Sequence, residues 1–78
     1  MRFEVRMPRL GETVDEVVLL EWLVEVGDQV EEGTELALVE TDKVETEVPS
    51  PMAGTVTEIT VSEDAEVNTG EVICVLET

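Results

Sequence analysis

Ala37-Leu38-Val39-Glu40-Thr41-Asp42-Lys43-Val44-Glu45-Thr46-Glu47-Val48 is a stretch whose pairing can be worked out from the sequence alone. With Asp42 and Lys43 as the two central residues of a tight turn, Thr41 faces Val44, Glu40 faces Glu45, Val39 faces Thr46, Leu38 faces Glu47 and Ala37 faces Val48. Side chains alternate across a strand. Ala37, Val39, Thr41, Val44, Thr46 and Val48 therefore share a face that can turn to a core, while Glu40, Glu45 and Glu47 share the other. Lys43 is left at the exposed tip. Two local rules are broken here. The turn lacks the Asn-Gly or Asp-Gly pair that two-residue hairpins favour, and Glu40 stands directly across from Glu45, a like-charge pair. Local rules tend to be broken at functional sites.

The rest of the chain is built from the same material. Fifteen Val, nine Thr, seven Leu and two Ile against three Ala give a β-branched bias that suits half-buried strands. Turn signals at Pro8 to Gly11, Gly27-Asp28, Glu31-Glu32-Gly33, Asp42-Lys43, Pro49 to Gly54, Glu63-Asp64 and Asn68 to Gly70 separate short apolar runs and predict about eight strands. Glu16 to Val26, with Trp22 inside it, also has a helical reading, but Val17, Val18, Val24 and Val26 favour one long strand. Val30-Glu31-Glu32-Gly33-Thr34-Glu35-Leu36-Ala37-Leu38-Val39-Glu40 then repeats as Val67-Asn68-Thr69-Gly70-Glu71-Val72-Ile73-Cys74-Val75-Leu76-Glu77, an offset of 37 residues. Two four-strand units, neither able to bury its own apolar face, would close on each other. The expected fold is all-β: a flattened barrel or sandwich of two four-stranded antiparallel sheets related by a pseudo-twofold axis. Within the 78 residues no Pro/Ala-rich or Gly/Ser-rich stretch marks a linker, so one domain over residues 1–78 is expected.

Composition narrows the function classes. A net charge of −16 argues against nucleic acid or an anionic membrane as partner, since such surfaces are bound by neutralising their phosphates with Lys and Arg. The cations are few: Arg2, Arg6 and Arg9 near the start, and one lysine, Lys43. No apolar run approaches the roughly 20 residues of a membrane-spanning helix, and the start alternates rather than forming a signal segment. A cytoplasmic chain is the expectation. One Cys and no His exclude an internal disulfide and a His/Cys metal cluster. The carboxylates show no Asp-x-Asp-x-Asp-Gly calcium spacing; a solvated shell, adaptation to a salty cytoplasm or recognition of partner proteins would each use them. Cys74 falls opposite Ala37 in the repeat and is expected as an inert core thiol. Trp22 is expected as a core or edge aromatic. With no His, no Tyr and no base beside a Ser or Cys, catalysis has no machinery. The chain reads as a carrier or a binding module whose lone amine serves as an attachment point.

Met7-Pro8-Arg9-Leu10-Gly11-Glu12-Thr13, Trp22 with Val26-Gly27-Asp28-Gln29-Val30, Glu40-Thr41-Asp42-Lys43-Val44, and Val48-Pro49-Ser50-Pro51-Met52-Ala53-Gly54-Thr55-Val56 together resemble the lipoyl domain of the acyltransferase component of 2-oxo acid dehydrogenase complexes. The resemblance covers essentially the whole chain. It implies two four-stranded sheets and lipoic acid in amide linkage on Lys43, attached by a lipoate ligase or lipoyl transferase. It also implies that Glu40, with Gly27 and Gly54, helps to present the lysine, flanked by Asp42 and Val44. The implied partners are a thiamine-diphosphate-dependent 2-oxo acid decarboxylase that acylates the arm reductively, an acyltransferase core that moves the acyl group to coenzyme A, and a flavin-dependent dihydrolipoamide dehydrogenase that reoxidises the arm. The biotinyl carrier domain is the nearest alternative, but its lysine stands between two methionines, where this chain has Asp42 and Val44. The glycine cleavage H protein fits less well in length and lysine context. An unmodified acidic β-domain that binds a partner protein is the third reading.

Overall fold

The computed structural model describes residues 1–9, 16–42 and 44–78. Lys43, and Leu10 and Gly11 of the first expected turn, lie outside the described residues. Eight strands are found among the rest: β1 (Arg2–Arg6), β2 (Glu16–Trp22), β3 (Gln29–Val30), β4 (Glu35–Glu40), β5 (Glu45–Pro49), β6 (Gly54–Ile59), β7 (Glu66–Asn68) and β8 (Val72–Glu77). They form two four-stranded sheets, ordered β1-β8-β6-β3 and β5-β4-β2-β7, with every pairing antiparallel. Of the two forms left open by the sequence, this is the sandwich, since neither sheet closes on itself.

The internal repeat extends to the irregularities. The β2–β4 register slips between Leu19 and Glu21, and the β6–β8 register slips between Val56 and Glu58, its counterpart in the repeat. Leu36 is skipped in the β4–β5 ladder and Ile73 in the β8–β1 ladder, and both are fully buried. A bulge points two successive residues the same way. Leu36 and Ala37, like Ile73 and Cys74, can therefore both face inward. The turns match too. Gly27 has φ +101° and donates to Val56 O at 2.7 Å, while its mate Asp64 has φ 71° and donates to Leu19 O at 2.6 Å. Few residues other than Gly accept this region, and Asp is among them.

The core is aliphatic: Val5, Met7, Leu19, Leu36, Val39, Val48, Val56, Val67, Ile73 and Leu76 are all buried, with Trp22, Phe3 and Met52 packed against them. Cys74 and Ala37 are fully buried as the repeat requires. Desolvation by burial raises the Cys74 thiol to about 11, which leaves it unreactive at neutral pH. Trp22 is half-buried and its indole N–H reaches Val61 O at 3.0 Å, which meets the usual demand of a buried indole for a partner.

The expected long strand stops early. β2 ends at Trp22, and Leu23 and Val26 are 42% and 59% exposed. Asp28 causes the break: its carboxylate accepts from Glu25 N–H at 2.8 Å and its own N–H donates to Glu25 O at 3.0 Å, folding residues 25–28 into a turn that carries the chain into the other sheet.

Candidate functional site: the lysine hairpin

β4 and β5 pair as Glu40 with Glu45, Val39 with Thr46, Leu38 with Glu47 and Ala37 with Val48, the register expected from a two-residue turn at 42 and 43. The next rung closes the turn: Thr41 N–H donates to Val44 O at 2.8 Å. The Thr41 hydroxyl joins it, donating to Val44 O and accepting from Val44 N–H, each at 3.2 Å. Ala37, Val39 and Val48 are buried and Thr46 and Thr41 half-buried, so the inner face forms as expected up to the turn. Val44 departs from it. Placed on the core face by alternation, it is 60% exposed, because it follows the turn directly and the core ends before the ladder does.

Around the turn, exposed carboxylates converge from four strands. A hollow of about 300 Å³ is lined by Glu40, Thr41, Asp42, Val44 and Glu45. A second, of about 290 Å³, is lined by Glu16, Val17, Val18, Glu40, Thr41, Asp42 and Glu66. Glu16 and Glu66 arrive through long-range pairing: β2 lies between β4 and β7, with Val18 opposite both Glu40 and Glu66. Sequence reading missed Thr41, Glu16 and Glu66 as members of the site. Thr41 was legible as the residue before the turn; the other two had no local signal.

Glu40, Asp42 and Val44 are thus brought together at the turn, while Gly27 and Gly54 are placed elsewhere. Gly27 occupies the turn that leans on β6. Gly54 opens β6, where a Cβ would stand 3.0 Å from Glu77 O and 3.2 Å from both Leu76 Cβ and Thr78 Cγ2. Its bare backbone is what lets β6 approach the end of β8. Both glycines shape the frame rather than the turn.

The described flanks of the turn, Glu40 to Asp42 and Val44 to Glu45, border shallow, acid-lined hollows. The comparisons agree with a carrier. The family model described as Biotin-requiring enzyme, the biotin and lipoyl attachment family, matches residues 3–76. The dihydrolipoyllysine-residue acetyltransferase component of the pyruvate dehydrogenase complex of Corynebacterium glutamicum is 50% identical over 76 residues, covering 97% of this chain and 11% of that protein. The lipoamide acyltransferase component of the branched-chain alpha-keto acid dehydrogenase complex of Bacillus subtilis is 45% identical over 75 residues, covering 96% of this chain and 18% of that protein. The chain thus spans under one fifth of the length of these curated relatives. The solution structure of the lipoyl domain of the 2-oxoglutarate dehydrogenase complex from Azotobacter vinelandii superposes with a TM-score of 0.75 at 27% identity, over 96% of this chain and 95% of that one. With the hairpin register, the two-sheet frame and the family match in agreement, the chain belongs to the biotin and lipoyl attachment family, and along almost its whole length it is similar to a lipoyl domain.

Proposed function

We propose that Lys43 carries lipoic acid in amide linkage and serves a 2-oxo acid dehydrogenase complex, meeting in turn a lipoate ligase or lipoyl transferase, a thiamine-diphosphate-dependent decarboxylase, an acyltransferase core and a dihydrolipoamide dehydrogenase. The observation that supports this is the β4–β5 register, with Glu40 opposite Glu45 and Thr41 N–H bonded to Val44 O, because the sequence has two residues between Thr41 and Val44 and the second is its only lysine. The bound group supplies a dithiolane able to take up an acyl group and two electrons. The protein supplies placement. Glu40 and Asp42 give the turn its charge, Val44 gives it an exposed apolar contact, and Gly27 and Gly54 act on presentation through the frame. A rigid sandwich fixes the root of the arm, and tethering raises its effective concentration at successive sites.

Incubation with lipoate, ATP and a lipoate ligase should add one lipoyl group to the intact mass. Lys43→Arg should add none, because no other side-chain amine exists. Label from a biotin ligase but not from a lipoate ligase would establish the biotinyl alternative, and a mass unchanged by both would leave the acidic binding domain.

Glu40 is the sharpest of the recognition assignments. Glu40→Gln removes one member of the like-charge pair with Glu45, worth a few tenths of a kcal/mol. The melting midpoint should therefore stay level or rise slightly at low ionic strength, where screening is weakest. Modification or reductive acylation should slow in the same preparation. A variant that melts earlier yet is modified at the wild-type rate would make Glu40 structural.

A further inference from the structure

A two-residue turn ordinarily holds its shape through residues that accept positive φ, and Asp42-Lys43 lacks the usual pair. Asp42 is not among the residues at positive φ, so the turn is not of the favoured primed kind, and the Thr41 hydroxyl stands where it can brace it. It holds both the N–H and the C=O of Val44, at 3.2 Å each, and so spans the turn from one flank to the other. A β-branched side chain has few rotamers to choose from, so the hydroxyl stays aimed once the strand is formed.

The other end of the pseudo-symmetric frame shows that one half of this contact is independent of the turn. Thr78 is the repeat mate of Thr41, and Met1 stands where Val44 stands. Thr78 N–H donates to Met1 O at 2.8 Å and its hydroxyl donates to the same oxygen at 3.2 Å, matching the Thr41 to Val44 distances. No two-residue connection joins Thr78 to Met1. The bond from hydroxyl to carbonyl is therefore a property of the strand-pair end, whereas the bond from Val44 N–H to the hydroxyl is found at Thr41 and not at Thr78, where the Met1 amine donates to Glu77 Oε1 and Thr78 O instead.

We infer that Thr41 is the positioning residue of the carrier lysine, its hydroxyl clamping Val44 so that the turn rests in the conformation the lipoate ligase binds; this rests on Lys43 being the modified residue. Loss of the clamp spreads the turn over several conformations, and a partner that binds one of them sees an affinity reduced by the fraction competent. The signature is a raised KM at unchanged kcat.

Three variants of the whole domain decide it, assayed with lipoate ligase, lipoate and ATP over a range of domain concentrations. Thr41→Val keeps the shape and strand preference of the side chain but loses both bonds; KM should rise about tenfold, the equivalent of about 1.4 kcal/mol, with kcat within about twofold of wild type. Thr41→Ser restores the hydroxyl and should return KM to near wild type. Thr78→Val deletes the matching contact at the other end and should leave KM alone. Amide exchange provides a readout without the ligase: the Val44 N–H should exchange about tenfold faster in Thr41→Val. An unchanged KM in Thr41→Val, an equal rise in Thr78→Val, a fall in kcat alone, or unchanged Val44 exchange would each overturn the inference. If the wild type takes up no lipoate, the reading of Lys43 fails instead, and Val44 exchange still decides whether Thr41 clamps the turn.

Discussion

Exchanging Lys43 with Asp42, or with Val44, is expected to leave the domain folded and to cut lipoylation on the order of 100-fold. Asp42 and Val44 are exposed, and surface substitutions of this kind usually shift stability by no more than about 0.5 kcal/mol. The rate responds differently. In a tight turn each position projects its side chain along a separate direction fixed by the flanking ladder, and here that ladder runs without a slip from Ala37/Val48 to Glu40/Glu45. A lysine at position 42 or 44 has the same chemistry and stands at an exposed position, but approaches a modifying enzyme from another angle. A misplacement of about 1 Å can cost such a factor in a reaction that depends on alignment. The check is intact mass against time for both exchanged variants beside the wild type, with melting curves on the same samples. Full modification of both at the wild-type rate would show that the enzyme finds any nearby amine.

The largest stability effect should come from Leu36→Ala. Leu36 is fully buried, and it is the residue skipped in the β4–β5 ladder. Its carbonyl also accepts from Leu23 N–H at 2.9 Å where β2 leaves its sheet. Removing its side chain opens a cavity bounded by bulged backbone that is held in place on both sides, so little relaxation is available. Leu→Ala at such sites costs about 2–5 kcal/mol. A domain of this size has only about 4–12 kcal/mol in total at the usual value per residue, so the melting midpoint should fall by at least about 10 °C. Below the transition the variant should still be lipoylated at Lys43 at the wild-type rate, since the turn itself is untouched. A loss under about 1 kcal/mol would mean that the bulge collapses to fill the space.

Where the sequence and the structure agree, the determinants are local or repeated. The lysine hairpin was legible because a two-residue turn leaves no freedom in register: once Asp42 and Lys43 are central, Glu40 must meet Glu45, and it does. The sandwich was legible because Val30 to Glu40 and Val67 to Glu77 repeat each other, and β3–β4 and β7–β8 follow suit in opposite sheets. The failures have the opposite character. Alternation carried the strand on to Val26, whereas one Asp28 side chain, by bonding Glu25 N–H, ends it at Trp22. Alternation also put Val44 inside, but whether a position at the ladder's edge is covered depends on how far the other sheet extends. The gathering of Glu16 and Glu66 beside Glu40 needs β2 seated between β4 and β7, a neighbourhood set by packing rather than by any nearby residue.

The contact between Thr78 and Met1 fixes how this molecule would bear a load. β1 and β8 run antiparallel from adjacent ends, so tension applied at the first and last residues meets their ladder at its terminal rung and opens it as a zip opens, breaking one bond at a time from Arg2/Glu77 inward. Shear, which would strain all the rungs together, never arises. The β4–β5 ladder, in the other sheet and joined to neither terminal strand, stays out of the line of force until β8 has peeled away. The first bonds to yield are thus in the sheet that does not hold the β4–β5 turn.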